Sequence, residues 1–133
     1  MRITNVETFV LGTNWRNLVF VKLTTDEGVT GIGEASLTNL EDAVVGYIGA
    51  AARNNVIGSD PFNIEDLWQR MFRNDFWRGG VVAYTGISAI EIACWDIVGK
   101  TLGVPCWKIM GGQAQGKLKA YANGWYQVEH TPE

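Results

Sequence analysis

The stretch TGISAIEIACWDIVGKTLGVPCWKIMGG, Thr85 to Gly112, decides how the rest of the chain is read. Ile87, Ile90, Cys94, Ile97 and Val98 recur at the i, i+3, i+4, i+7 spacing of one helix face, so the stretch is predicted to be a helix with a buried stripe. Asp96 and Lys100 form an acid-to-base i, i+4 pair on a different face. Gly103 stands where a left-handed residue ends a helix, and Pro105 prevents continuation. Ala89 and Ala93, beside Trp95, leave room for another backbone to approach. This helix is expected to be the core of a helical layer, with the earlier segments folded against it.

Upstream, Met1–Leu11 and Leu18–Thr25 are rich in β-branched and aromatic residues and read as strands, joined by Asn14-Trp15-Arg16-Asn17. Thr25-Asp26-Glu27-Gly28 is predicted to be a hairpin turn, with Gly28 supplying a positive φ. Val29–Ala35 makes a third strand, in which Gly31 and Gly33 permit close packing. Short connections favour an antiparallel meander. Thr38-x-x-Glu41 has the form of a capping box, and Leu40, Ala43, Val44, Tyr47, Ile48 and Ala51 continue as a helical stripe that Asn54–Asp60 breaks. A second helix begins near Pro61–Asn63 and presents Ile64, Leu67, Trp68, Met71 and Phe72. The loop Asn74–Gly80 leads into the long helix, and a short helical turn is expected at Val104–Met110. Helices that follow a meander rather than alternate with strands define an α+β class, a three-stranded antiparallel meander followed by a helical bundle.

Composition narrows the function. The net charge is −3 and Lys and Arg form no run, which excludes a nucleic-acid groove. No apolar run approaches the roughly 20 residues needed to cross a bilayer, so no membrane partner is expected. MRITNVETFV alternates like a strand and does not have the form of a signal peptide. Cys94 and Cys106 lie in or beside apolar helical sequence, as reduced thiols of a cytoplasmic protein would. His130 has no Cys or carboxylate companion at ligand spacing. Gly31 and Gly33 do not complete a dinucleotide fingerprint, and no Gly-x-Ser-x-Gly elbow is present.

Trp-Asp, Gly-Lys, Gly-x-Pro and a closing Gly-Gly, in that order on the long helix and after it, resemble the end of the N-terminal capping domain of the enolase superfamily. The similarity is to its mandelate racemase/muconate lactonizing branch. LWQRMFRNDFWRGG (Leu67–Gly80) and TTDEGVTGIGEA (Thr24–Ala35) are similar to the galactonate- and mannonate-dehydratase-like acid-sugar dehydratases. Met110 replaces a more usual Leu before Gly-Gly, a volume-conserving change. The resemblance implies a capping domain over 1–112 and, over 113–133, the start of a truncated (β/α)8 barrel whose first strand is Leu118–Ala122. Thr131-Pro132-Glu133 reads as the cap and first turn of a helix about to begin, so a longer enzyme is expected.

The resemblance further implies proton abstraction α to a carboxylate, assisted by Mg²⁺, with bases and metal ligands on later barrel strands. No catalytic residue and no metal ligand is therefore assigned within this chain. Lys117-x-Lys119 mimics a Lys-x-Lys base motif but flanks the wrong strand, and Glu91 and Asp96 point about 140° apart on a helix, too far to share a metal. What the chain can hold is selection of a small sugar acid, through cap loops that close over its own barrel in a homo-oligomeric full-length enzyme. Arg16 is a candidate for the substrate carboxylate, Thr38 and Asn39 for sugar hydroxyls, and Trp15 for excluding water. The alternatives are a surface cation at Arg16 and a simple N-cap at Thr38. Phe76-Trp77-Arg78-Gly79-Gly80 adds Trp77 and Arg78 as substrate contacts or as packing between cap and barrel. Asn123 and Trp125 are candidate pocket wall, or interface residues. Racemase, epimerase and cycloisomerase chemistries are rivals to the dehydratase, and a non-catalytic binding domain is the reading of another class. Barrel strands bearing Asp and Glu at their ends, downstream of Glu133, would separate these two classes.

Overall fold

A computed structural model describes residues 1–73 and 76–122. Three strands, β1 (Ile3–Gly12), β2 (Asn17–Thr25) and β3 (Thr30–Glu34), form an antiparallel sheet in the order β1-β2-β3. The helices are α1 (Glu41–Ala51), α2 (Ile64–Arg73), α3 (Val81–Leu102) and the short α4 (Cys106–Ile109). The meander and the helical layer are those expected. At the β2–β3 turn Gly28 has φ 79°, and its N–H donates to Thr25 O at 3.1 Å.

The period-2 pattern of β2 assigns its faces. Val19, Val21, Leu23 and Thr25 are buried against the helices, and the residues between them are only half-buried. Ile87, Ile90, Cys94 and Ile97 of α3 fill the other side of that core with Val44, Ile48, Leu67 and Met71. Burial of this apolar area is the main stabilising term. Trp68, Phe72 and Tyr84 carry it outward as a ring stack between α2 and α3, with centroids 5.1 and 5.9 Å apart.

The seam between β3 and α3 explains the small residues on both. A Cβ built on Gly33 would lie 2.0 Å from Ala89 O, and one on Gly31 would lie 2.0 Å from Ala93 O. Two strand residues advance ~6.6 Å and four helical residues ~6 Å, so a Gly-x-Gly strand stays in step with an Ala-x-x-x-Ala helix. The same antiparallel step continues to the outer edge of β3. There Asp96 Oδ2 accepts from Ile32 N at 2.9 Å, and Lys100 Nζ donates to Thr30 O at 2.8 Å and to Asp96 at 2.7 Å. The expected i, i+4 pair thus closes a sheet edge as well as bridging one helix turn.

Several boundaries differ from expectation. α3 begins at Val81, four residues before the quoted stretch, directly after Gly79 and Gly80 at φ 86° and 85°. It ends as expected, with Gly103 N donating to Lys100 O and Val104 N to Gly99 O. With 22 residues and a mean hydropathy of 1.5 in its most apolar window, α3 is long and apolar enough to cross a bilayer, contrary to the run-length reading. Its Gly86, Ala89 and Ala93 face is packed in the core instead. Asn54 does not break α1; the chain continues as a π-helical turn over Ala52–Val56. Arg70 closes that turn, donating to Asn55 O at 3.1 Å and Ser59 Oγ at 3.0 Å while paired with Asp66. The capping box does not form. Leu40 is the N-cap, without a side-chain bond, because Asn39 turns left-handed at φ 67° and Leu40 N donates to Leu37 O. Thr38 therefore stands two residues before the N-cap, away from the N–H groups it would have to reach. Outside these boundaries, Leu118–Ala122, read as the first strand of a barrel whose other strands are not among the described residues, is exposed and has no ladder partner there. A strand cannot exist without a neighbour to hydrogen-bond.

Candidate functional site

The sheet topology gathers the candidate loops at one end. β1 ends, β2 begins and β3 ends there, so the 13–16 turn and the 36–40 loop leave the sheet on the same side. α3 runs antiparallel to β3, as the Gly33–Ala89 and Gly31–Ala93 contacts show, so its N-terminus and the preceding residues 76–80 belong to that end as well. α1 also starts there, after the 36–40 loop. The sequence could nominate these loops singly, but their convergence depends on strand order and helix direction.

The first loop is built by Thr13. Its hydroxyl accepts from Arg16 N at 3.0 Å and Trp15 N at 3.3 Å and donates to Arg16 O, while Thr13 N donates to Arg16 O at 3.1 Å. This turn fixes the backbone and leaves both side chains outside. Trp15 is 70% exposed, and Arg16 Cζ lies over its ring, 4.6 Å from the centroid. A guanidinium held over an aromatic face keeps its in-plane N–H fork free for a planar anion. No hydrogen bond or ion pair occupies the Arg16 guanidinium among the described residues. Thr13 was not singled out in the sequence; a Thr at a strand end, three residues before the far side of a tight turn, was the available signal.

The second loop is anchored by Ser36, also missed, whose Oγ accepts from Val19 N at 3.0 Å. Thr38 and Asn39 beyond it are exposed, with Thr38 free of the capping role. In the third segment Phe76 and Trp77 meet edge to face at 5.2 Å and are 86% and 82% exposed, while Arg78 Nη2 reaches Arg73 O at 3.5 Å. Trp15, Arg16, Thr38, Asn39, Trp77 and Arg78 are thus all exposed at one end of the domain. Asn123 and Trp125 lie outside the described residues, as does His130. Lys117 and Lys119 are exposed.

The fit of a divalent metal can be tested on the donors present. Among the described residues no three His, Cys, Asp or Glu groups converge, so this part of the chain offers Mg²⁺ no ligand set. Asp96 is engaged at the β3 edge, and Glu91 accepts from Trp95 Nε1 at 3.4 Å. Of the two free thiols, Cys94 is buried on α3, and burial, with the nearby Glu91 charge, pushes its pKa up to about 12. That thiol is inert as a nucleophile. Cys106 donates to Trp95 O at 3.2 Å.

The described residues thus form an α+β domain, a three-stranded meander under a helical layer, with exposed loops gathered at one sheet end. Residues 4–111 match the mandelate racemase / muconate lactonizing enzyme N-terminal domain family, and the chain belongs to it. A D-galactonate dehydratase family member from Pseudarthrobacter chlorophenolicus is 41% identical over 123 residues, covering 92% of this chain and 30% of that protein. A D-mannonate dehydratase from Caulobacter vibrioides is 41% identical over 111 residues, covering 82% and 28%. An enolase from Pantoea ananatis, solved with bound D-gluconate and Mg, superposes with a TM-score of 0.80 at 38% identity, covering 86% of this chain and 28% of that one. The chain therefore spans less than a third of the length of these relatives, and corresponds to the N-terminal domain of acid-sugar-dehydratase-like proteins of the enolase superfamily.

Proposed function

We propose that this chain is the substrate-selecting cap of an Mg²⁺-dependent acid-sugar dehydratase acting by proton abstraction α to a carboxylate. The observation that carries the proposal is the Arg16 guanidinium over Trp15, with its donors free, on the same sheet end as Thr38, Asn39, Trp77 and Arg78. Arg16 binds the substrate carboxylate through paired N–H donors. Thr38 and Asn39 bond sugar hydroxyls. Trp15 and Trp77 cover the bound sugar acid and exclude water, which strengthens the polar contacts beneath them. Support for the substrate class comes from the relatives named for D-galactonate and D-mannonate, and from the D-gluconate in the Pantoea protein.

The residues that move the proton and hold Mg²⁺ belong to a (β/α)8 barrel beyond the capping domain of 1–112, and the intact enzyme is a cytoplasmic homo-oligomer. The experiment is steady-state kinetics of the intact protein on a panel of sugar acids with and without Mg²⁺. Water loss from at least one sugar acid is expected, abolished by chelation, with Arg16→Ala raising KM about tenfold or more and leaving Mg²⁺ affinity unchanged. If no sugar acid is dehydrated, or if Arg16→Ala removes metal binding while KM stays put, the proposal is wrong.

A further inference from the structure

The chain leaves the sheet into the two candidate loops by the same device. In a two-residue hairpin the residues that flank the turn exchange two backbone hydrogen bonds. Thr13 and Arg16 stand in those positions, and one of the two bonds is made, from Thr13 N to Arg16 O at 3.1 Å. Arg16 N donates instead to the Thr13 hydroxyl at 3.0 Å, so a side chain takes the place of the Thr13 carbonyl. The pattern recurs where β3 ends. Val19 and Ala35 continue the register of the β2–β3 ladder, and Ala35 N donates to Val19 O at 2.7 Å. The return bond from Val19 N goes to Ser36 Oγ at 3.0 Å rather than to the Ala35 carbonyl.

The Thr13 hydroxyl has no bonding capacity left over. A hydroxyl carries one donor and two acceptor sites. Here the donor is spent on Arg16 O and the acceptor sites on Arg16 N and Trp15 N, the latter at 3.3 Å. All three partners belong to the two residues that form the guanidinium-over-indole pair, in which Arg16 Cζ lies 4.6 Å from the ring centroid. Thr13 itself is exposed, so its side chain adds little to the core. Ser36, by contrast, bonds the amide of the fully buried Val19, and its loss would act on folding as well. Thr13 is therefore the residue at which shaping a loop separates from holding the domain together.

We propose that Thr13 is a positioning residue: its hydroxyl holds the Trp15 and Arg16 backbone so that the guanidinium meets a substrate carboxylate already oriented. Thr13 does not itself touch the substrate, because its hydroxyl is fully engaged. The inference rests on the proposed role of Arg16 and adds the residue that makes that role possible. Without the hydroxyl the turn keeps one closing bond, from Thr13 N to Arg16 O, and its tip samples other conformations. Substrate then has to order the tip as it binds, which weakens binding without altering the chemistry that follows.

The test is steady-state kinetics of the intact protein on D-galactonate, D-mannonate and D-gluconate, beside melts followed by circular dichroism. Thr13→Val keeps the branched shape and removes the hydroxyl. It should raise KM about fivefold, with kcat and the melting temperature close to wild type. Thr13→Ser, which keeps the hydroxyl, should restore KM. In an Arg16→Ala background Thr13→Val should add less than about a twofold change, since the group it positions is gone. Arg16→Ala at wild-type KM, or no turnover of any of the three acids, overturns both the reading of Arg16 and this inference. A wild-type KM in Thr13→Val beside an impaired Arg16→Ala overturns the inference alone. So does a full further loss in the double variant, or a Thr13→Ser protein as impaired as Thr13→Val. If Thr13→Val does not fold, Thr13→Ala is read in its place, and failure of both to fold overturns the inference by making Thr13 a folding residue.

Discussion

Along β3 the backbone rests directly on the helix behind it, whereas the loop that joins β1 to β2 holds its side chains clear of the domain. At Gly33 there is no space for one methyl group, and Trp15 is 70% exposed. The two regions share a sheet and differ in what their sequence is for. Gly31, Gly33, Ala89 and Ala93 specify an approach distance, and any added volume has to move a backbone. Thr13 and Ser36 specify a loop shape from below, through backbone bonds, and leave the side chains of Trp15, Arg16 and Thr38 exposed, while Asn39 supplies the left-handed turn before α1. Under the proposed function, rigidity and recognition would then be encoded by different residues.

The largest response to a single substitution is expected at the seam. Gly33→Ala places its Cβ against the Ala89 carbonyl, which no side-chain rotation relieves. The expected cost is about 3 kcal/mol, the upper part of the usual overpacking range, measured by denaturant unfolding. A loss below about 0.5 kcal/mol would show that the seam is looser than the contact implies.

A smaller effect comes from Cys94 on the same helix. Its pKa is raised from 9.0 to about 12, first by burial and then by the Glu91 charge. The folded state holds the proton more tightly than the unfolded one. The thiol's contribution is therefore fully present below about pH 9 and is lost as pH climbs from there toward 12. Stability should fall by roughly 1 kcal/mol for the first pH unit above that point. Thermal melts at pH 8 and pH 10 check this, and Cys94→Ala should show the smaller pH-dependent loss of the two proteins. An equal loss in both would assign the alkaline sensitivity elsewhere.

The sequence disclosed the seam more readily than the site. Ile87, Ile90, Cys94 and Ile97 announce a buried helix face by spacing alone, and Gly31 and Gly33 announce a close approach by having no side chain. That these glycines meet Ala89 and Ala93 was not legible, since it depends on matching strand rise to helix rise across the fold. Thr38-x-x-Glu41 misled because a capping pattern is local, whereas the left-handed turn at Asn39 decides where the helix begins. Arg16 and Trp15 were legible as unusual loop residues. Their stacking depends on the Thr13 turn, and their grouping with Thr38 and Trp77 depends on strand order, neither of which a linear motif records.

The proposed function requires that loop residues set substrate choice without setting stability, and that seam residues do the reverse. Its most direct measurement is a crossed one, in the intact protein, of melting temperature and of kcat/KM across a panel of sugar acids for Arg16→Ala and Gly33→Ala. Arg16→Ala is expected to change stability by less than about 0.5 kcal/mol while altering the ranking of substrates or lowering kcat/KM by about tenfold. Gly33→Ala is expected to melt earlier yet keep the wild-type ranking at temperatures where it is folded. Arg16→Ala with wild-type ranking and kcat/KM, or Gly33→Ala with unchanged melting and a reordered ranking, would contradict it.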